Sequence, residues 1–325
     1  MAAKVTPEPI ALDDAKAAAL LPDRPARGHK GTFGKLLVIA GSVDYAGAAL
    51  LVCTAAGRAG AGLVTLATLE SLQPLFAAKV VEATTLSLPE DDVEEVDPEA
   101  ALSRILDHDH DALVMGPGLQ PSLSMTELIR AILAADDESE PPAVVLDAEA
   151  LRSLATVDGW SNDVNAHCVL TPHAGEFLRL RAGDGHDPKD FGDLANDDKR
   201  RLEAARGAAA DWGQVVVLKG ARTVIAEPGG NAAVAPFENP ALASGGTGDV
   251  LSGTIGALLA QGLGTFEAAQ LGVYLHGMAG EAVRARIGDA GLLASDLPPE
   301  LPLARKRLAN LKKETASSRG QEENS

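Results

Sequence analysis

A glycine-rich turn that leads into a helix is the feature of the sequence best suited to chemistry. It reads Ala243-Ser244-Gly245-Gly246-Thr247-Gly248-Asp249-Val250-Leu251, and apolar residues continue at helical spacing. Backbone N–H groups of such a turn can point at an anion, and the helix dipole adds to the attraction. Asp249 could then accept a proton from a hydroxyl beside a bound phosphate. An ordinary glycine-rich helix start with aspartate in its first turn has the same pattern.

A second polar motif, Thr171-Pro172-His173-Ala174-Gly175-Glu176, comes directly after an apolar run. Ligands of open α/β sheets gather at the carboxyl ends of strands. His173 could therefore bond a polar substrate group, and Glu176 could position magnesium-bound water. A histidine at a strand end is also commonly a structural hydrogen-bonding residue, so both interpretations stay open.

Further charged residues end two more apolar runs. Lys219 opens the segment Lys219-Gly220-Ala221-Arg222-Thr223 and is either a point charge for phosphate or a solvated turn residue. Asp147 could reach magnesium through water, although a cap for the following helix is the favoured interpretation. The alternating Asp and His residues at 107–111 favour a solvated loop over a metal site, and His276 is interpreted as structural.

The elements that must position these residues follow from short apolar runs, which predict strands. The last two runs form a hairpin across a Pro-Gly-Gly turn, and the runs lie at 35–41, 63–67, 84–88, 112–116, 143–147, 168–172, 214–220, 223–227 and 231–237. Alanine-rich stretches predict helices at 46–59, 71–78, 98–107, 122–135, 199–212, 248–261 and 265–286. This alternation indicates an α/β fold: a mostly parallel central sheet with helices on both faces and an antiparallel edge hairpin.

Surface loops are predicted at 90–99, 136–142 and 182–193, and a polar, frayed tail at about 312–325. None of the loops is long enough to be a linker. We therefore predict a single domain over 1–325 with its core at about 12–302.

Composition excludes several classes of function. The net charge of −18 over 325 residues opposes binding to nucleic acid or to an anionic membrane surface. No apolar run approaches the roughly 20 residues that span a bilayer. Cys53 and Cys168 are too far apart in sequence for a CxxC metal site or a disulfide framework. Because no apolar leader is visible, a cytoplasmic location is expected.

In this order the motifs resemble those of the NAD(P)H-hydrate dehydratase family, which has a ribokinase-like fold. The matching segments cover about residues 28–296 and are 29–31, 41–49, 116–118, 146–148, 171–176, 218–223, 239–251 and 276–277. The sequence departs from the family pattern at Val81-Glu82, Gln120 and Leu242, where Pro-Glu, glycine and methionine are usual.

The resemblance implies an ADP-dependent (S)-NAD(P)H-hydrate dehydratase, a hydro-lyase that restores NADH or NADPH from the hydrates NADHX and NADPHX. Phosphorylation of the hydrate hydroxyl and elimination of phosphate would replace a poor leaving group by a good one. ADP is the expected phosphate donor, with ATP as the alternative, and Mg²⁺ would bridge the phosphates.

The resemblance also implies a role for individual residues. Asp249 would be the base, with Gly245, Gly246, Thr247 and Gly248 as the anion hole. The hydrated dinucleotide would contact Ala48, Gly118, His173 and Asp249. The nucleotide would lie against Lys219, Gly220, Ala221, Arg222, Thr223 and Gly248. Glu176 would organise the magnesium through water.

A homo-oligomer is expected, with a tetramer as one form. The R-epimer would depend on a separate epimerase, because only some two dozen residues precede position 28. The main alternative is a vitamin or small-alcohol kinase of the same fold. The Thr171–Glu176 motif and Gly116-Pro117-Gly118 favour the dehydratase. A non-catalytic nucleotide sensor would not need Asp249.

Overall fold

The computed structural model describes residues 7–135 and 143–322. The strands in these ranges are β1 Ile10–Ala11, β2 Lys35–Ile39, β3 Leu63–Leu69, β4 Thr84–Leu88, β5 Glu90–Asp92, β6 Glu95–Val96, β7 Ala112–Met115, β8 Ala143–Leu146, β9 Cys168–Leu170, β10 Val215–Leu218, β11 Val224–Ala226 and β12 Ala232–Val234. The helices are α1 Asp14–Ala19, α2 Ala46–Ala59, α3 Gln73–Ala77, α4 Pro98–Leu106, α5 Leu123–Ala134, α6 Glu149–Leu154, α7 Ala174–Gly183, α8 Asp198–Trp212, α9 Thr247–Ala260, α10 Thr265–Ile287 and α11 Leu301–Glu322.

One large sheet organises the molecule, in the order β1-β12-β11-β10-β9-β8-β7-β2-β3-β4. From β10 to β4 every neighbouring pair is parallel, so the carboxyl ends of these strands meet at one edge. β11 pairs antiparallel with β10 and β12, and β1 runs parallel to β12. Strands β2 to β4 are added towards one edge of the sheet and β7 to β10 towards the other. The order of the strands therefore switches between β2 and β7, which is where α/β sheets open a crevice for ligands.

The two faces of the sheet bury separate hydrophobic cores. Leu36 and Val38 of β2 pack with the side of the molecule that holds α2, α9 and α10. Leu37 and Ile39 alternate with them and pack towards α4 to α8, as the two-residue period of a strand requires. No helix in the described part of the chain is long and apolar enough to cross a membrane.

The predicted α/β architecture is confirmed. All of the predicted strands and helices are present with small shifts at their ends, and the last two strands form the expected edge hairpin. The sequence interpretation missed β1, β5, β6, α1, α6, α7 and α11. The predicted loop at 90–99 contains β5, β6 and the start of α4, and the one at 182–193 begins inside α7. The predicted loop at 136–142 lies outside the described residues.

The frayed tail predicted from residue 312 is wrong for the described residues, because α11 continues through Glu322. Leu301, Ala304 and Leu308 are buried in the core, which ties the first half of this helix to the domain. Lys312 lies beyond them and donates from Nζ to Leu21 O at 2.8 Å. The polar composition therefore reflects an exposed helix face rather than a loss of structure.

Helix α9 lies directly against α2 at Gly253 and against β7 at Gly256, where a side chain would not fit. A Cβ atom added at Gly253 would lie 2.3 Å from Val52 O, and one at Gly256 would lie 2.3 Å from Val114 Cγ2. This close approach sets the position of the first turn of α9 above the sheet, where Asp249 lies.

Gly253→Ala is therefore expected to lower the free energy of unfolding by about 1–3 kcal/mol, because the backbone of α2 must move. The matched control is Gly57→Ala in α2, where an added Cβ would meet nothing within 4 Å. That variant should gain roughly 0.5–1 kcal/mol from its helix propensity. Urea denaturation measures both, and equal stability of Gly253→Ala and wild type would contradict the close contact.

Candidate active site

The glycine turn before α9 is held from both sides and leaves the helix end uncovered. Gly246 has φ +87°, and a Cβ there would lie 2.8 Å from Leu51 Cδ1. Thr247 Oγ1 donates to Leu242 O at 2.9 Å and to Ser244 O at 3.0 Å. No side chain caps the first N–H groups of α9. The turn therefore has the geometry of an anion site.

A buried ion pair lies directly beneath this turn. Lys219 Nζ is 2.8 Å from Asp147 Oδ1, and Ser252 Oγ donates to Asp147 Oδ2 at 2.6 Å. Gly248 covers the pair, because a Cβ added there would lie 3.3 Å from Lys219 Nζ. One sequence interpretation is thereby corrected, because Asp147 does not cap α6, whose N-cap is Ala148 without a side-chain bond. Of the two interpretations that the sequence left open for Lys219, its pairing with Asp147 disfavours the solvated turn residue.

The ion pair and burial together set the proton affinities of the site. Burial acts to raise the pKa of Asp147, but the Lys219 charge and the hydrogen bonds hold that pKa below its usual value. Burial acts to lower the pKa of Lys219, and the carboxylates of Asp147 and Glu176 reverse this and raise it. Burial, and then the charge of Asp147, raise the pKa of Asp249 to about 7 despite the opposing effect of Lys219. Asp249 can therefore take up and release a proton near neutral pH.

The carboxylate of Asp249 lies beside the phosphate turn. A Cβ added at Gly246 would lie 3.7 Å from Asp249 Oδ2, so the acidic group lies next to the turn that carries the uncapped N–H groups. This is the arrangement that general-base catalysis next to a bound phosphate requires.

His173 and Glu176 form a capping box at the start of α7. His173 Nδ1 accepts from the backbone N–H groups of Gly175 at 3.0 Å and Glu176 at 3.3 Å. Glu176 Oε2 accepts in return from His173 N at 3.0 Å, and this carboxylate lies 4.0 Å from Lys219 Nζ. These bonds support the structural interpretation of His173. Its Nε2 lies 3.4 Å from Glu176 Oε1, and the His173 side chain is 52% exposed.

Magnesium chemistry fits this region only as an ion that the nucleotide brings with it. Among the described residues no group of three or more His, Cys, Asp or Glu side chains could hold a metal, and the run at 107–111 is no exception. Asp147 is already satisfied by Lys219 and Ser252. Glu176 remains as a carboxylate that could hold magnesium-bound water, in the way that Mg²⁺ is commonly bound through few carboxylates plus phosphates.

Ala48 and Gly118 meet at the crevice between β2 and β7. Gly118 has φ +67°, and a Cβ there would lie 2.7 Å from Ala48 Cβ and 2.8 Å from Tyr45 O. The backbone N–H of Gly41 donates to Pro117 O at 2.9 Å and joins the two loops. The structure therefore places this predicted substrate contact at the point where the sheet topology opens.

A cavity of about 440 Å³ lies on the other side of Lys219, towards the edge hairpin. It is lined by Lys219, Gly220, Ala221, Thr223, Ala235, Phe237, Glu238, Asn239, Pro240, Leu242, Ala243, Thr247, Gly248, Leu251, Val273, His276 and Gly277. Its size is that of a small-molecule site. All the residues predicted to bind the nucleotide line this cavity except Arg222, whose guanidinium pairs with Asp198 at 3.1 Å.

The sequence interpretation did not identify two residues of this cavity as groups that could face a ligand. Asn239 Oδ1 accepts from Ala241 N at 3.0 Å, and this bond leaves its buried Nδ2 donor unpartnered. His276 was interpreted as structural, and its Nε2 does bond to Thr247 O at 2.9 Å. Burial lowers the pKa of His276 to about 4, so the ring that lines the cavity is neutral.

Comparison with known proteins identifies the family. The family model for NAD(P)H-hydrate dehydratase matches residues 36–303. The chain belongs to this family. It is similar to the ADP-dependent (S)-NAD(P)H-hydrate dehydratase of Bacillus subtilis, with 37% identity over 89% of this chain and 95% of that protein. It is also similar to a bifunctional NAD(P)H-hydrate repair enzyme of Moorella thermoacetica, with 40% identity over 90% of this chain. The chain spans about half the length of such bifunctional relatives.

Solved structures of similar proteins share the fold. The Bacillus subtilis dehydratase co-crystallised with ATP and Mg²⁺ has a TM-score of 0.75 and 34% identity, covering 92% of this chain and 98% of that one. A ribokinase-like protein of Enterococcus faecalis has a TM-score of 0.73 at 24% identity, covering 92% and 96% of the two chains. The predicted ribokinase-like fold is confirmed.

The proton affinity of Asp249 can be tested without substrate. Asp147→Asn removes the neighbouring negative charge and the nearest partner of Lys219, so the pKa of Asp249 should fall from about 7. The expected fall is roughly one to two units, from the Coulomb energy at an effective dielectric constant of about 20. Carbon-13 NMR of labelled aspartate carboxyls measures it, with Asp249→Asn to assign the signal. Asp163→Asn, an exposed surface change, is the control. An unmoved titration in folded Asp147→Asn would show that the two carboxylates do not interact.

Proposed function

We propose that this protein is an ADP-dependent (S)-NAD(P)H-hydrate dehydratase. The observation that carries the proposal is the position of Asp249. Its carboxylate adjoins the glycine turn, whose residues Thr247 and Gly248 line the 440 Å³ cavity, and its helix α9 packs against α2, which carries Ala48. A phosphate donor in the cavity and a hydroxyl compound at the crevice would therefore meet at one carboxylate.

The reaction would proceed in two steps. The hydroxyl of the hydrated ring attacks the terminal phosphorus of the nucleotide, its proton passes to Asp249, and the bond to the bridging oxygen of the nucleotide breaks. Phosphate then leaves with the electron pair of its C–O bond, and loss of a proton from the neighbouring ring carbon restores the double bond. Asp249 suits the first step because its pKa of about 7 leaves a substantial ionised fraction at neutral pH.

The remaining residues bind and neutralise charge. The N–H groups of Gly245 to Gly248 would hold the transferring phosphate. Lys219 supplies positive charge beneath it, and the Asn239 amide offers a donor inside the cavity. Bound magnesium would bridge the nucleotide phosphates, and Glu176 would hold one of its waters. The half-exposed ring of His173 would contact the hydrated dinucleotide.

The finer assignments are part of the same proposal. ADP is the preferred donor, in line with the similarity to an ADP-dependent dehydratase over 95% of its length. Assembly as a homo-oligomer, functional coupling to a separate epimerase and a cytoplasmic location stay predictions.

The deciding experiment follows the absorbance band of the reduced nicotinamide. Enzyme, Mg²⁺ and NADHX are mixed with ADP or with ATP in separate cuvettes. Absorbance that recovers only with nucleotide establishes the dehydratase, and the faster donor identifies the preferred nucleotide. Folded protein that restores no absorbance with either donor, yet consumes ATP with a small alcohol, would replace this proposal by the kinase.

The role of Asp249 is tested by Asp249→Asn, which keeps the size of the side chain but cannot take up the proton. Turnover of NADHX should fall by about 10²-fold or more, while the affinity for ADP, measured by calorimetry, stays close to that of wild type. Asp163→Asn should change neither quantity. Turnover at the wild-type rate in Asp249→Asn would remove this carboxylate from the mechanism.

A further inference from the structure

A second cavity, of about 250 Å³, lies at the same edge of the sheet beyond the Gly118 turn. It is formed by the carboxyl ends of β2, β3, β4 and β7, and the β5–β6 ribbon covers it. Ser42 follows β2, Thr68 lies in β3 and Gln120 follows β7. None of the functional assignments above uses this cavity.

Two hydroxyl groups lie in the cavity without partners. Ser42 is 5% exposed and Thr68 3% exposed, and neither Ser42 Oγ nor Thr68 Oγ1 has a hydrogen-bond partner. A buried polar group without a partner is destabilising. Two of them lining one cavity indicate that a polar ligand completes their hydrogen bonds, since each hydroxyl can both donate and accept.

The remaining walls restrict the chemistry of that ligand. Apolar side chains, among them Ile39, Leu72 and Leu119, provide flat hydrophobic contact. The described lining contains no Lys, Arg or His, whereas Glu94 and Glu95 stand in it. Carboxylates repel phosphate and accept hydrogen bonds from hydroxyl or amino groups. The cavity therefore suits one neutral, planar ring system with polar edges, such as a nucleobase.

The place of the second cavity in the strand order gives its distance from the reacting centre. Asp147, beneath the phosphate turn, ends β8, and Thr68 lies in β3, three strand spacings away along the sheet. Three spacings correspond to about 14 Å, a distance that a dinucleotide joined by a pyrophosphate can cover. The Gly118 turn lies between the two points, whereas the nucleotide cavity lies in the opposite direction, next to β10 and β11.

We propose that this second cavity binds the adenine base of the hydrated dinucleotide, through Ser42 and Thr68. The inference rests on the proposed function, because it assumes a dinucleotide whose hydrated ring lies at Ala48 and Gly118. The two adenine bases of the reaction then occupy opposite ends of the sheet edge, with Asp249 between them.

Ser42→Ala and Thr68→Val test the cavity by opposite effects on stability and binding. Each removes a hydroxyl that lacks a partner in the free protein, so the Tm should not fall. Each should raise the KM for NADHX about fivefold to tenfold, the effect of one lost hydrogen bond, with kcat and the KM for ADP retained. The matched control is Thr65→Val in the same strand, whose hydroxyl bonds to Thr84 Oγ1 at 2.9 Å. It should lower the Tm and leave the KM unchanged.

A truncated substrate separates the adenine from the rest of the molecule. The hydrate of reduced nicotinamide mononucleotide lacks the adenylate half, so the substitutions at Ser42 and Thr68 should not raise its KM. An equal rise for the full and the truncated substrate, or no rise for either, would overturn the inference while leaving the dehydratase intact.

Calorimetry keeps the test independent of turnover. Saturating ADP first fills the nucleotide cavity, and unhydrated NADH or its mononucleotide is then titrated into the wild type and the Ser42→Ala, Thr68→Val double variant. The inference requires tighter binding of NADH than of the mononucleotide in the wild type, and loss of that difference in the double variant. Equal binding of both ligands to the wild type, or an unchanged difference in the variant, would refute it. Failure of NADHX turnover in the wild type would instead refute the proposed function.

Discussion

The buried ion pair between Lys219 and Asp147 is the interaction on which the rest of the site depends. Taking two charges out of water costs several kcal/mol per ion, and the pair persists because each partner has further contacts. Ser252 donates to the second carboxylate oxygen of Asp147, and Glu176 lies 4.0 Å from the ammonium. The ends of β8 and β10 and the first turns of α9 are thereby joined. Movement of any of these elements would leave a buried charge unpaired, which is strongly unfavourable.

The same ion pair explains why position 248, directly above it, is occupied by glycine. Gly248 lets the backbone of α9 lie against Lys219 Nζ, so the positive charge is directly beneath the N–H groups that would receive phosphate. Asp249 feels both members of the pair, and burial with the nearby negative charge outweighs the effect of Lys219. The ion pair therefore supplies the positive charge for binding phosphate and contributes, after burial, to the pKa of Asp249.

Local sequence patterns predicted the strands and helices around the central sheet well. They did not reveal which side chains pair when the residues are far apart in sequence. Apolar runs followed by glycine identify the strands because burial on both faces demands uninterrupted Val, Leu and Ile. Asp147 was misassigned because its partner lies 72 residues away in sequence, which no local pattern can show. α7 was missed because its start coincides with the polar residues His173 and Glu176, whose motif suggested ligands before it suggested a helix cap.

The second cavity was equally invisible to sequence patterns. Isolated hydroxyls such as Ser42 and Thr68 have no characteristic spacing, and their lack of partners is a property of the folded structure. The signal that existed was Gln120, a departure from the family pattern that lies in this cavity and donates to Asp44 at 2.7 Å.

The placement of the cysteines bears on how the protein withstands oxidants. Both thiols are buried, Cys53 in α2 and Cys168 in β9, and burial raises the pKa of Cys53 to about 12 and that of Cys168 further. Peroxides and disulfides react with thiolates rather than thiols. Burial and the raised pKa therefore keep both sulfurs in the thiol form, so we expect them to react slowly with oxidants.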